Sequence, residues 1–443
     1  MDGPARRGRG AGHGAPRGAP LSRGRHFLRA LGPGLITGAS DDDPSGIATY
    51  SIAGASLGPA LLWAALWTLP LMAAVQLTCA RIGLVSGRGL AGAVRHHAPR
   101  PLLYGACVLV VVANVFNISA DLAGMADAIE LLLRVPSAVS VPLLGAGLLA
   151  LTVYARYATF ARYLKWLTLV LFAYAIAAVL ARPDWRASLA ASLVPAWRLD
   201  RPYVEALLAI LGTTISPYLF FWQASQEVEE ETAHGRRTVA ERRGATSDEL
   251  RDARTDVVSG MVLSNFVMYC IMLTTAATLH RAGIRDIASS RQAAEALRPL
   301  AGDAAYLLYT LGIVGTGLLA VPVLAGSASY AVAEAFGWRA GLDLAPRQGR
   351  RFYFVLGAAV VGGVLLDGLH LNPIRLLFLA ALVNGLLAPP LLVLVMLVGS
   401  SRRIMGDRAN GFWLNVLGWT TVAVMTAASV VFIGGALVGA RFS

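Results

Sequence analysis

Gly38-Ala39-Ser40-Asp41-Asp42-Asp43-Pro44-Ser45-Gly46-Ile47-Ala48-Thr49-Tyr50 decides how this chain is read, because it breaks a membrane-length apolar run in its middle. Apolar sequence precedes it from Leu31 to Ile36 and follows it from Ile47 to Leu57. In hydrocarbon an unsatisfied backbone group costs several kcal/mol, so such an interruption must line a protein-enclosed cavity. Carboxylates at that depth mark a functional site.

A second interrupted segment answers the first. Leu207 to Gln223 is again apolar, with Gly212-Thr213-Thr214-Ile215-Ser216-Pro217-Tyr218 at its centre. Paired Gly/Pro-broken segments at corresponding positions of two halves point to a transporter binding site.

Composition agrees. Of 443 residues, 56% are hydrophobic and 14% charged, against roughly 25% charged in a soluble protein. This predicts an all-α polytopic membrane protein. The formal charge of +12 comes almost wholly from arginine, Lys165 being the single lysine. Arginines concentrated in cytoplasmic loops account for that charge without invoking nucleic acid. Cys79, Cys107 and Cys270 are far apart in apolar segments and make neither a metal-ligand spacing nor a disulfide framework. No cofactor and no obligate protein partner is implied; the partners expected are a divalent metal ion and the lipid bilayer.

With about 20 residues per span, the hydrophobic segments number about eleven. They fall near 28–56, 59–83, 102–132, 138–156, 163–181, 203–226, 256–279, 303–334, 352–371, 374–399 and 412–439. Residues 1–25, rich in Gly, Ala, Pro and Arg, cannot bury a core and read as a disordered, basic cytoplasmic tail. Arginines recur in alternate loops (86–100, 157–165, 227–255, 337–351 and 400–411). Two longer outside loops, 182–202 and 280–302, also carry arginines, mixed with Asp184, Asp200 and Asp286. The remaining bias orients the N-terminus to the cytoplasm and the C-terminus outside a bacterial inner membrane. The acidic start of loop 227–255, Glu227 to Glu231, reads as helix continuing into the cytoplasm, and Asp256 as starting the seventh span, either as its N-cap or as a residue of a cytoplasmic vestibule.

Within the third span, Asn114, Asn117, Asp121 and Gly124 share one helical face. Ser327, Tyr330 and Glu334 do so in the eighth, and Asn384 lies in the tenth before Pro389 and Pro390. Asn117, Asp121 and Asn384 are candidates for lining the pathway. No histidine lies centrally in a span.

Gly32-Pro33-Gly34 followed by Asp43-Pro44-Ser45-Gly46 and Ala48-Thr49 resembles the first helix of the NRAMP divalent-metal transporters, with its Gly-Pro-Gly and Asp-Pro-Gly-Asn. Gly212 to Tyr218 is similar to that family's broken sixth helix, which reads Met-Pro-His, and Ala120-Asp121-Leu122-Ala123 to its third. The resemblance implies the leucine-transporter-type fold: a 5+5 inverted repeat with helices 1 and 6 broken. Residues 26–443 then form one transmembrane domain, 28–200 being the first repeat, 203–399 the second and 412–439 an additional helix. It also implies metal held by Asp43 and by the backbone carbonyl of Thr213. The positions of the family's asparagine and methionine ligands are occupied by Gly46 and Ser216, and that of its sixth-helix histidine by Tyr218. Gly124 stands where an acidic residue is usual. Asp42, Ser45 and Tyr218 complete the expected surroundings.

The function expected is transport of a divalent metal cation by alternating access. Carboxylate and carbonyl oxygens suit Mg²⁺ and Mn²⁺, with Fe²⁺ a further candidate. Alternatives are the same fold carrying a small organic solute or amino acid and, more remotely, an intramembrane Mg²⁺-diphosphate enzyme, which would need a second acidic cluster opposite the first. A tyrosine, with a reference pKa of about 10, does not cycle a proton at neutral pH, so proton coupling is expected to be weak or absent.

Overall fold

The computed structural model describes residues 32–155, 167–369 and 371–442. The tail at 1–25 and the loop at 157–165 therefore lie outside the described residues, as do the first residues of the first and fifth expected spans. All eleven expected segments are otherwise present as helix. The first is split into α1 (Pro33–Asp41) and α2 (Pro44–Leu57). Then come α3 (Leu62–Ser86), α4 (Arg100–Leu133), α5 (Ser137–Tyr154) and α6 (Phe172–Leu180). The sixth is split again, into α7 (Arg201–Thr214) and α8 (Pro217–Ala233). The remainder are α9 (Ser247–Thr275), α10 (Ala305–Phe336), α11 (Arg350–Asp367), α12 (Pro373–Ser400) and α13 (Phe412–Phe442). Eight helical stretches among the described residues are long and apolar enough to cross a membrane, Pro44–Ser86 counting as one. The chain is an integral membrane protein.

Both breaks are written in the same way. Asp43 is extended (φ −67°, ψ 170°) and N-caps α2, with Pro44 in the first turn. Ser216 is extended (φ −72°, ψ 127°) before α8, with Pro217 in the first turn. Proline lacks an N–H and has a helical φ already set, so it is at home at the first position of a helix and disruptive in the middle of one. Each proline thus stops one helix and starts the next.

Lipid tails are as apolar as leucine, so helices in a membrane associate by close packing more than by a hydrophobic drive. The half-helices show it. A Cβ on Gly38 of α1 would lie 2.3 Å from the Gly260 carbonyl of α9, and one on Gly212 of α7 would lie 2.1 Å from the Ala381 carbonyl of α12. Backbone therefore rests on backbone at both seams. Helix α4 runs through the centre, packed against α10, α11 and α12. Cys79, Cys107 and Cys270 are buried free thiols.

The segment 227–255 differs from expectation at one end. Helix α8 does continue to Ala233, and a short helix, Val239–Arg242, follows. Asp256, however, does not start the seventh span. Helix α9 begins at Ser247, where Thr246 and Glu249 form a capping box. Asp256 lies more than two turns inside that helix and caps α1 instead.

Candidate functional site: the facing breaks of two helices

The two breaks are joined by a side chain. Tyr218, in the first turn of α8, donates its hydroxyl to the Ser40 carbonyl at 2.9 Å and stands 3.4 Å from Asp43 Oδ2. Ser327 of α10 donates to the Tyr218 carbonyl at 2.6 Å and fixes that turn from behind. The residues that end α1 and begin α2 and α8 so form one buried polar junction.

Asp43 has two tasks there. Its Oδ1 accepts the Ser45 hydroxyl and the Gly46 N–H, both at 2.7 Å, which satisfies one of the free donors in α2's first turn. Its Oδ2 is left with the long Tyr218 contact. Asp41 and Asp42 turn toward α9, where the Ser264 hydroxyl lies 2.7 Å from Asp41 Oδ2 and 3.3 Å from Asp42 Oδ1. One hydroxyl proton serves one acceptor at a time, and Asp41 Oδ1 is buried without a partner. All three carboxylates are at most 2% exposed. Asp121, on α4, is fully buried, and both its oxygens lack a hydrogen-bond partner. Among the described residues no ion pair reaches any of these four. Buried charge of this density requires a compensating cation or proton.

The second break is more self-contained than its sequence suggests. The Ser216 hydroxyl donates to the Thr213 carbonyl at 2.6 Å and approaches that of Gly212 at 3.2 Å. It closes the end of α7 in this conformation rather than pointing at a ligand. The Thr213 carbonyl keeps a second lone pair, and the Thr213 hydroxyl is buried without a partner. Gly46 leaves less room than a missing side chain implies. A Cβ there would meet Thr213 Oγ1 at 3.2 Å, the Asp41 carbonyl at 3.3 Å and the Tyr50 ring at 3.4 Å.

Asn117 and Asn384 pair with each other, at 2.8 and 3.1 Å, tying α4 to α12. Asn114 donates to the Leu324 carbonyl of α10. The polar stripe of α4 thus supplies interhelical bonds at Asn114 and Asn117 and a bare carboxylate at Asp121. A Cβ on Gly124 would lie 2.8 Å from Leu377, so the face is already filled there.

Three participants escaped the sequence reading: Ser264, Gln223 and Tyr50. Ser264 follows Asp256 and Gly260 at four-residue steps, a helical face that the sequence does display. Gln223 accepts the Thr37 hydroxyl at 2.5 Å and donates to Glu227 at 2.8 Å. This line runs from α1 to a cavity of about 300 Å³ at the C-terminal end of α8, lined by Glu227, Glu230, Glu231 and Asp256 among others. Among the described residues no three His, Cys, Asp or Glu side chains already stand in metal-holding geometry.

Comparison with known proteins places this arrangement. The chain is 29% identical over 415 residues to a divalent metal cation transporter, MntH, of Klebsiella pneumoniae, spanning 93% of this chain and 95% of the relative. It is 28% identical over 414 residues to the protein of the same name from Pectobacterium carotovorum, spanning 91% and 93%. In fold it is similar to the manganese transporter of Eremococcus coleocola, with a TM-score of 0.76 at 20% identity over 94% of this chain and 89% of the other. A more distant likeness is to Mhp1, a nucleobase-cation-symport-1 family transporter, with a TM-score of 0.56 at 15% identity over 91% and 89%. The architecture is accordingly the leucine-transporter-type 5+5 inverted repeat, with its first and sixth helices broken. Residues 34–434 match the family model described as natural resistance-associated macrophage protein-like, and the chain belongs to that family, Nramp.

Proposed function

We propose that this protein carries a divalent metal cation across a bacterial inner membrane by alternating access, with Mg²⁺ and Mn²⁺ preferred over Fe²⁺. The ion is cargo, not a cofactor. Kinship with transporters named for divalent metal cations supports the general reading. The observation that carries it is the junction itself: buried Asp41, Asp42 and Asp43 between two broken helices, with no basic partner among the described residues. Such a site favours a cation over a substrate carboxylate. Asp43 is the proposed main ligand, assisted by the Thr213 carbonyl. Gly46 and Ser216 contribute the absence of any soft or bulky donor, and Asp42, Ser45, Tyr218, Asn117, Asp121 and Asn384 border the path.

Selectivity follows from donor chemistry. Oxygen donors suit hard ions, and Mg²⁺ dehydrates reluctantly, keeping waters in its shell. A thioether would favour Fe²⁺ or Cd²⁺, and position 216 holds serine. We orient the N-terminus to the cytoplasm on the arginine bias of the loops. The acidic cavity beside Glu227 and Glu230 is then the inner mouth.

Uptake into proteoliposomes across Mg²⁺, Ca²⁺, Mn²⁺, Fe²⁺ and Cd²⁺ tests the proposal. Saturable Mg²⁺ and Mn²⁺ uptake is expected. Cd²⁺ bound far more tightly than either would overturn the hard-site argument, and uptake of no divalent ion would overturn the function.

A further inference from the structure

On the membrane-facing side of α7, away from the carboxylates, lies an apolar groove of about 700 Å³ between α3, α7 and α13. Its floor is built from side chains such as Leu71, Leu207, Leu211 and Val424. The polar groups on its walls are turned inward. Trp63 Nε1 donates to the Tyr203 hydroxyl at 3.1 Å, the Tyr203 hydroxyl donates to the Ala196 carbonyl, and Thr68 donates to Asn265. What the groove presents is carbon, and its open side faces hydrocarbon.

Its length suits a lipid chain. Leu417 and Val431 both line it and are 14 residues apart on α13, which at 1.5 Å per residue is about 21 Å. One leaflet's hydrocarbon is about 15 Å deep. The rim is chemically distinct. Trp63 and Trp197 meet with ring centroids 5.7 Å apart, Trp67 stands beside them, and Arg198 follows Trp197 at the mouth. Tryptophan and arginine together are the side chains that sit at headgroup level. Among the described residues Arg198 has no ion-pair partner.

We propose that this groove is a binding site for an anionic phospholipid, its acyl chain lying between α3, α7 and α13 and its phosphate held by Arg198. A guanidinium at the mouth of a groove between membrane helices makes charge-assisted hydrogen bonds to a lipid phosphate, which favours a headgroup without a positive charge of its own. The lipid would lie against α7, whose other side abuts α12 and whose end is the second break, so it would brace a half-helix from behind. The site is separate from the cation junction, and its test does not require transport.

The test is quenching of tryptophan fluorescence in vesicles of brominated phosphatidylglycerol or brominated phosphatidylcholine at matched fractions. A preference for the anionic lipid of about fivefold is expected from one arginine. It should fall to unity in Arg198→Gln and persist in Arg198→Lys. Filling the groove with Ala427→Leu should reduce quenching by both lipids. Equal quenching by the two lipids, unchanged in Arg198→Gln, would overturn the site. Quenching unchanged by Ala427→Leu would overturn the placement of the chain.

Discussion

Asp256 of α9 caps the first turn of α1 across 222 residues of sequence, its Oδ2 accepting the Gly34 N–H at 2.6 Å. Its Oδ1 accepts the N–H groups of Gly32 and Leu35 at 2.8 and 3.0 Å. Helix α1 has no side-chain cap of its own. The orphan donors of a helix start need partners, and here one buried carboxylate from a neighbouring helix supplies them.

The first prediction follows. Asp256→Ala leaves three N–H groups without an acceptor, which should cost about 3 kcal/mol and lower the melting temperature in detergent. Gly260→Ala should be comparably harmful, because its Cβ would come within 2.2 Å of the Gly34 carbonyl. Wild-type melting of either variant would show that α1 is not held against α9 in this way.

How much of this was legible in sequence depends on range. Pro44 and Pro217 could be read because a proline flanked by glycine and polar residues contradicts the apolar run around it. The Thr246–Glu249 capping box was also legible, and reading it would have placed the start of α9 at Ser247 rather than near Asp256. The partner of Asp256 was not, because no local pattern links residues 222 positions apart. Nor was the tightness at Gly46. A missing side chain announces space, while that space is closed by the Thr213 side chain from across the junction as well as by Tyr50, one turn further along α2.

Tyr218 supplies the second prediction. As donor to the Ser40 carbonyl it keeps its proton. Tyr218→Phe removes that bond between the two broken helices, a loss of about 1 kcal/mol, and should weaken cation affinity while leaving the protein folded. In the wild type, internal pH recorded during Mn²⁺ or Mg²⁺ influx should stay flat. Acidification strictly dependent on metal would contradict this and turn attention to Asp121.

Selectivity gives the third. Ser216→Met combined with Gly46→Asn should raise Fe²⁺ and Cd²⁺ uptake relative to Mg²⁺. The structure adds two costs. Ser216→Met removes the hydroxyl that closes the end of α7, about 1 kcal/mol. Gly46→Asn must displace the Thr213 hydroxyl by a few tenths of an ångström, since their separation would be 3.2 Å. Melting curves separate these costs from the change in preference, and an unchanged ion series would remove position 216 from the selectivity argument.

The central claim is that Asp43 binds the cation, and its double role dictates how to test it. Asp43→Ala would lose both the charge and the cap of α2, the latter about 1 kcal/mol. Asparagine caps a helix about as well as aspartate, so Asp43→Asn removes the charge and keeps the fold. The most direct measurement is Mn²⁺ and Mg²⁺ uptake by Asp43→Asn in proteoliposomes, beside its melting temperature. The account predicts near-wild-type melting with uptake reduced at least tenfold, about 1.4 kcal/mol or more of lost cation stabilisation. Undiminished uptake by a folded Asp43→Asn protein would contradict it.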